Sequence, residues 1–189
     1  MTRGSTAGSH AGSGDEPYSG VVGAFPYALR ATPSVAMKLY VVVSVLLTAV
    51  VGLLFALALV TLVGGTAGAA GGTFTFSRAF FVVLMMGVVG PLVAPVLLVA
   101  RRHRRTGSTR RYDAAVAAAG YAFVVAAYVG LVISTPAEQQ TSAGPLLSAL
   151  YGLPRLAGFG PPALAVGLLW LVHRRLGRTP PDRERADAE

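Results

Sequence analysis

Two histidines, one carboxylate and a dense set of guanidinium groups are the residues whose types and spacing could do chemistry in this chain. The stretch VLLVARRHRRTGSTRRYDAAV, residues 96 to 116, carries Arg101, Arg102, His103, Arg104, Arg105, Arg110, Arg111 and Asp113, and a shorter cluster, His173, Arg174 and Arg175, ends the last apolar run. A metal centre would need His103 and His173 to be joined by a carboxylate or thiolate, and arginines beside both repel a cation, so no metal site is expected. With no cysteine in the chain, thiol nucleophiles, thiolate metal sites, disulfides and covalent haem attachment are excluded. Asp113 opens a helical stretch, where a carboxylate complements the helix N-terminus and can pair with Arg110 or Arg111; that capping role is the expectation, rather than acid chemistry. The arginines themselves admit two readings. They could bind nucleic acid, or they could fix a membrane protein's orientation.

The elements that position these groups decide between the two. The chain has 189 residues, of which 53% are hydrophobic and 13% charged, and its mean hydropathy is +0.60. A soluble domain of this size has too little interior to hide so much apolar surface, so the surplus must face lipid. Residues 1–20 are rich in glycine, serine and threonine and read as a disordered tail. Residues 21–38, VVGAFPYALRATPSVAMK, are apolar but broken by Pro26 and Pro33; Phe25, Tyr27 and Arg30 suit a short helix at the headgroup layer.

A four-span membrane domain is then expected over residues 39–175, with spans at about 39–63, 79–100, 113–133 and 146–173 and a disordered tail at 176–189. The first span alone, twenty-five uncharged residues, would rise about 37 Å and cross the bilayer with some tilt. That length, and the long segment before it, argue against a cleaved signal peptide, although Ala67-Gly68-Ala69 resembles a cleavage site. Pro91 and Pro95 predict a bend in the second span near Gly87 to Pro91. The fourth segment is longer than a bilayer requires, and either bends at Pro154 and at Pro161-Pro162 or splits into an outer helix and a span; one long helix bent near Gly160 is the preferred reading.

With four spans and the loop between the second and third in the cytoplasm, both termini are cytoplasmic too. Fourteen basic residues then lie inside, against Arg78 and Arg155 outside. Such an imbalance is the positive-inside pattern. The six arginines of the stretch 96–116, Arg101, Arg102, Arg104, Arg105, Arg110 and Arg111, together with Arg174 and Arg175, therefore read as an anchor that meets anionic headgroups, and no nucleic-acid partner is expected, because a short loop without interleaved aromatics offers no platform for one. Membrane lipids are the expected partners, together with a second copy or another membrane protein.

Ionisable groups within the bilayer mark ion pathways, proton relays and cofactor sites. The middles of these four apolar runs have none, leaving Ser44, Thr48, Thr61, Tyr121 and Tyr128 as their polar content. A carboxylate-coupled exporter and a haem-bearing four-helix cytochrome both lack their essential residue, and no cofactor is expected. Arg155 is the one sharper candidate. Beside Pro154 and between glycine-rich turns, it could hold an anion or a lipid phosphate if the helix breaks there, or it could snorkel to the outer headgroups. Small residues four apart, such as Gly52 and Ala56 or Ala115 and Ala119, would let helices approach closely. One alignment goes beyond composition: GPLVAPVLLVARRHRR from Gly90 and GPPALAVGLLWLVHRR from Gly160 match at seven of sixteen positions when shifted by seventy residues. That suggests two related helical hairpins.

The segments SGVVGAFPYALRATPS, TFSRAFFVV, PLVAPVLLVARRHRR and RRYDAA resemble an uncharacterised haloarchaeal family of four-span integral membrane proteins, over most of the chain from Ser19 to Arg175. The resemblance implies an archaeal plasma membrane and brings no activity or catalytic residue. The expectation is thus an all-α, polytopic bundle of four transmembrane helices with both termini cytoplasmic. Its role would be structural, accessory or assembly-related rather than enzymatic; the alternative is a small permease or channel subunit for an apolar or anionic solute.

Overall fold

The computed structural model describes residues 20–65, 72–140 and 144–177. Most of the tails expected at 1–20 and 176–189, together with residues 66–71 and 141–143, lie outside the described residues, while Gly20 already opens a helix and Leu176 still ends one. Within them the chain forms six α-helices: α1 (Gly20–Ala31), α2 (Val35–Gly65), α3 (Gly72–Arg105), α4 (Arg110–Ile133), α5 (Pro145–Tyr151) and α6 (Gly160–Leu176). Short 3-10 turns cover Ala137–Gln139 and Arg155–Phe159.

Lipid offers backbone groups no hydrogen-bond partners, so an apolar run that crosses it must satisfy them within itself, as a helix. Four segments are long and apolar enough: Val35–Gly65, Phe76–Arg105, Arg110–Ile133 and Arg155–Leu176. At 31 and 34 residues, α2 and α3 rise about 46 and 51 Å, so both outreach the hydrocarbon. The 17 residues of α6 rise only about 25 Å, and the preceding 3-10 turn supplies the missing depth.

Local chemistry sets the boundaries. Between α1 and α2, Pro33 removes a donor and disfavours helical backbone at Thr32; Ser34 then opens α2 by accepting a hydrogen bond from the Met37 amide at 3.4 Å. After α3, Gly107 takes φ +75°, a left-handed conformation that stops the helix without a Cβ penalty. Thr109 caps α4, its side chain accepting from the Tyr112 amide at 3.3 Å.

The fourth segment departs from the expected single helix bent near Gly160. It is divided into α5, the 3-10 turn and α6. Gly152 and Pro154 end the first piece, and Pro161 and Pro162 stand in the first turn of α6, where a missing N–H costs nothing. Pro154, Pro161 and Pro162 are therefore boundary residues and not kinks within one rod. Pro91 and Pro95, by contrast, lie inside an unbroken α3.

The helix α4 is central and packs against the other three spans. Of its most apolar stretch 39% is buried, compared with 11% for α2, which presents most of its surface outward. Tyr40, fully buried, reaches from α2 across Gly120 of α4, where a Cβ would overlap the phenol ring. Its hydroxyl and that of Ser44 each donate to the Leu92 carbonyl of α3 at 2.8 Å. Pro95 has no N–H for the Pro91 carbonyl, and these hydroxyls act one residue along, beside that gap. The Tyr40 ring also meets Tyr121 edge-on, with centroids 5.1 Å apart. A second close approach joins α4 to the 3-10 turn, where Gly130 and Gly158 lie backbone to backbone with no room for a Cβ on either.

Candidate functional site

The polar side chains converge at one end of the bundle, formed by the α1–α2 link, the α3–α4 loop and the last turn of α6. Ten of the twelve described basic residues belong to this end; Arg78 and Arg155 belong to the other. At its centre Asp113 is fully buried. Its Oδ2 accepts from Thr32 Oγ1 at 2.5 Å and lies 2.9 Å from His103 Nε2, while Oδ1 accepts from Ser108 Oγ at 2.6 Å. With the carboxylate as acceptor, His103 carries its proton on Nε2.

Asp113 does lie in the first turn of α4, as a carboxylate that complements the helix N-terminus should, but its position relative to the cap and its partners differ from the expectation. Thr109 is the cap, and Asp113 sits at the end of that turn, where the bonds to its carboxylate come from Thr32, His103 and Ser108 instead of Arg110 or Arg111. The physical reason is burial: Asp113 faces the core while Arg110 and Arg111 are exposed. Desolvating a carboxylate costs several kcal/mol, so the position is tenable only because three donors compensate. The set also differs from a nucleophile–base relay. In such a relay a histidine stands between hydroxyl and carboxylate, whereas here Ser108 and His103 both point at the carboxylate.

The preceding residue of α4 repeats the pattern toward α6. The Tyr112 hydroxyl and His173 Nδ1 share a 2.7 Å hydrogen bond. The Arg102 guanidinium lies over the Tyr112 ring, 4.2 Å from its centroid, and donates to the Leu176 carbonyl at 3.1 Å. His103 and His173, which the seventy-residue alignment pairs, thus bond consecutive residues of one helix turn. Sequence reasoning placed both histidines among basic neighbours and did not anticipate these partners, nor Thr32 and Ser108. A buried aspartate within a helix's first turn was the available signal, since such a group must find donors.

Beside this cluster, an open groove of about 630 Å³ runs between the ends of α3 and α6, lined among others by Leu98, Arg101, Arg102, Arg105, Trp170 and Arg174. The Arg174 guanidinium sits 5.0 Å from the Trp170 ring centroid. Of the remaining predicted headgroup contacts, Arg104, Arg110, Arg111 and Arg175 are exposed around the same end. Arg155 stands apart, exposed at the far end, its carbonyl accepting from Ser134 Oγ at 3.4 Å. Among the described residues no three His, Cys, Asp or Glu side chains group to hold a metal ion.

Halfway along, the bundle is filled by Leu92, Phe123 and Ala165, with Leu47, Val88, Val124, Ala126 and Ala127 packed around them. An all-helical fold with four segments able to span a bilayer, most described basic side chains at one end and an apolar cluster midway define a polytopic membrane helix bundle. The chain belongs to the family described as domain of unknown function DUF8056, which matches residues 1–177. No curated protein and no solved structure matches it.

Proposed function

We propose that the protein is a structural, accessory or assembly-related component of an archaeal plasma membrane, without enzymatic activity, its arginine-rich end and both termini in the cytoplasm. The observation that carries the role is the apolar filling of the bundle at mid-depth by Leu92, Phe123 and Ala165. A permease needs a continuous polar route there, whereas the Tyr40 and Ser44 hydroxyls at that level are both spent on the Leu92 carbonyl and the described charged side chains lie at the two ends. The ten-to-two split of described basic residues supports the orientation. The archaeal membrane rests on the family resemblance alone. The case against catalysis draws on Asp113, which is fully buried and bound by three donors. Lipids are the immediate partners. The outward surface of α2 is where a second copy or another membrane protein would sit, and nucleic acid has no part.

Reconstitution into sealed vesicles tests the role. Chloride and phosphate flux should equal that of protein-free vesicles, and deletion should alter the migration of another membrane complex on native gels. Flux that rises with the protein-to-lipid ratio would replace this reading with the permease.

A further inference from the structure

We propose that the groove between the last turns of α3 and α6 binds one anionic phospholipid, with the phosphate held by Arg101, Arg105 and Arg174 and an apolar lipid chain lying along Leu98 and Trp170. This rests on the chain spanning a bilayer but not on the accessory role.

The charge of the groove selects the ligand. Its described lining residues include four arginines and no carboxylate. The carbonyl ends of α3 and α6 oppose an anion with roughly half a unit charge each, which four guanidinium groups outweigh. Among the described residues the one carboxylate at this end, Asp113, is fully buried and enclosed by Thr32, Ser108 and His103.

The shape separates a lipid from a free anion. Arginines form the end next to water, and the wall continues inward as Leu98 and Trp170, so the lining is amphipathic in the direction a phospholipid is. A soluble phosphate would leave that apolar wall unused. Part of the site is set in advance: Arg102 is pinned between the Leu176 carbonyl and the Tyr112 ring, and Arg174 stacks on Trp170. Guanidinium groups already ordered lose less freedom on meeting a phosphate.

Trp170 is the only tryptophan in the chain, so its fluorescence reports on the groove directly. The protein is reconstituted in phosphatidylcholine vesicles containing a small fraction of phosphatidylglycerol or phosphatidylcholine brominated at the 6,7 positions of one chain. The brominated phosphatidylglycerol should quench Trp170 more strongly at equal mole fraction, and Arg105→Gln with Arg174→Gln should reduce that preference by about tenfold. The exposed pair Arg110→Gln with Arg111→Gln removes the same charge at headgroup contacts outside the groove and should lower the preference only by the diffuse attraction common to both pairs, well short of tenfold.

Equal quenching by the two lipids overturns the site, and so does an equal loss in both double variants, which would mean diffuse attraction. Inorganic phosphate at millimolar concentration should not relieve the quenching; full relief would reassign the groove to a soluble anion. Failure to reconstitute at all, with the protein left outside the vesicles, would instead refute the membrane-spanning reading.

Discussion

Asp113 and Thr32, eighty-one positions apart, are joined by a 2.5 Å hydrogen bond inside the protein. It ties the α1–α2 link to the first turn of α4, and His103 and Ser108 bring α3 and its loop to the same carboxylate. Asp113→Ala should therefore destabilise the purified protein by about 3 kcal/mol, since it strands one buried and two part-buried donors at once. Thermal unfolding in detergent, followed by circular dichroism, measures this. Asp113→Asn keeps the shape and an acceptor oxygen and should cost less.

The Tyr40–Gly120 crossing predicts a steric effect. Gly120→Ala places a methyl group against the Tyr40 ring and should cost about 1 to 3 kcal/mol, as overpacking does. In a Tyr40→Ala background the same change should cost much less, because the obstructing ring is gone. A double-mutant cycle on unfolding midpoints reads the difference.

Removing the hydroxyls at Leu92 isolates a different term. Tyr40→Phe and Ser44→Ala each delete one donor to that carbonyl and should each cost about 1 kcal/mol. Amide exchange at the α3 segment around Pro95 should quicken in both, while exchange near Asp113 stays unchanged.

Gly130 and Gly158 face each other through backbone atoms, which cannot swing aside as a side chain can. Gly130→Ala should push the Arg155–Phe159 turn from α4 and lower the unfolding midpoint more than Gly52→Ala, where a Cβ meets open space.

Orientation can be read with single cysteines, because the chain has none of its own. Thr106 and Glu138 are exposed at opposite ends of the bundle. In intact cells a membrane-impermeant maleimide should label Glu138→Cys and reach Thr106→Cys only after lysis.

Much of the architecture was legible in the sequence because lipid imposes simple constraints. Four long apolar runs, each bounded by charge or glycine, could only be helices, and the gathering of arginines at the run ends fixed which ends lie together. The division of the fourth segment was harder. Gly152, Pro154 and Pro161-Pro162 are equally compatible with a bend and with a break, and the outcome turned on α6 using its two prolines as a first turn. Spacing of small residues misled in part: Gly52 faces open space, and the close approaches occur at Gly120, Gly130 and Gly158. Which glycine meets a neighbour depends on helix rotation, and a run apolar on every side carries no stripe to set it. The partners of Asp113 were hidden for another reason. Thr32 and Ser108 are ordinary turn residues, and only tertiary packing brings them to the carboxylate.

The bond between Tyr112 and His173, and that from Arg102 to the Leu176 carbonyl, have a bearing on biogenesis. Both acceptor and ring come from α6, so this end of the bundle stays unfastened until that helix has left the ribosome. A nascent chain halted before Gly160 already holds three hydrophobic segments, yet lacks the latch that closes them, and quality-control proteases would meet it in that open condition.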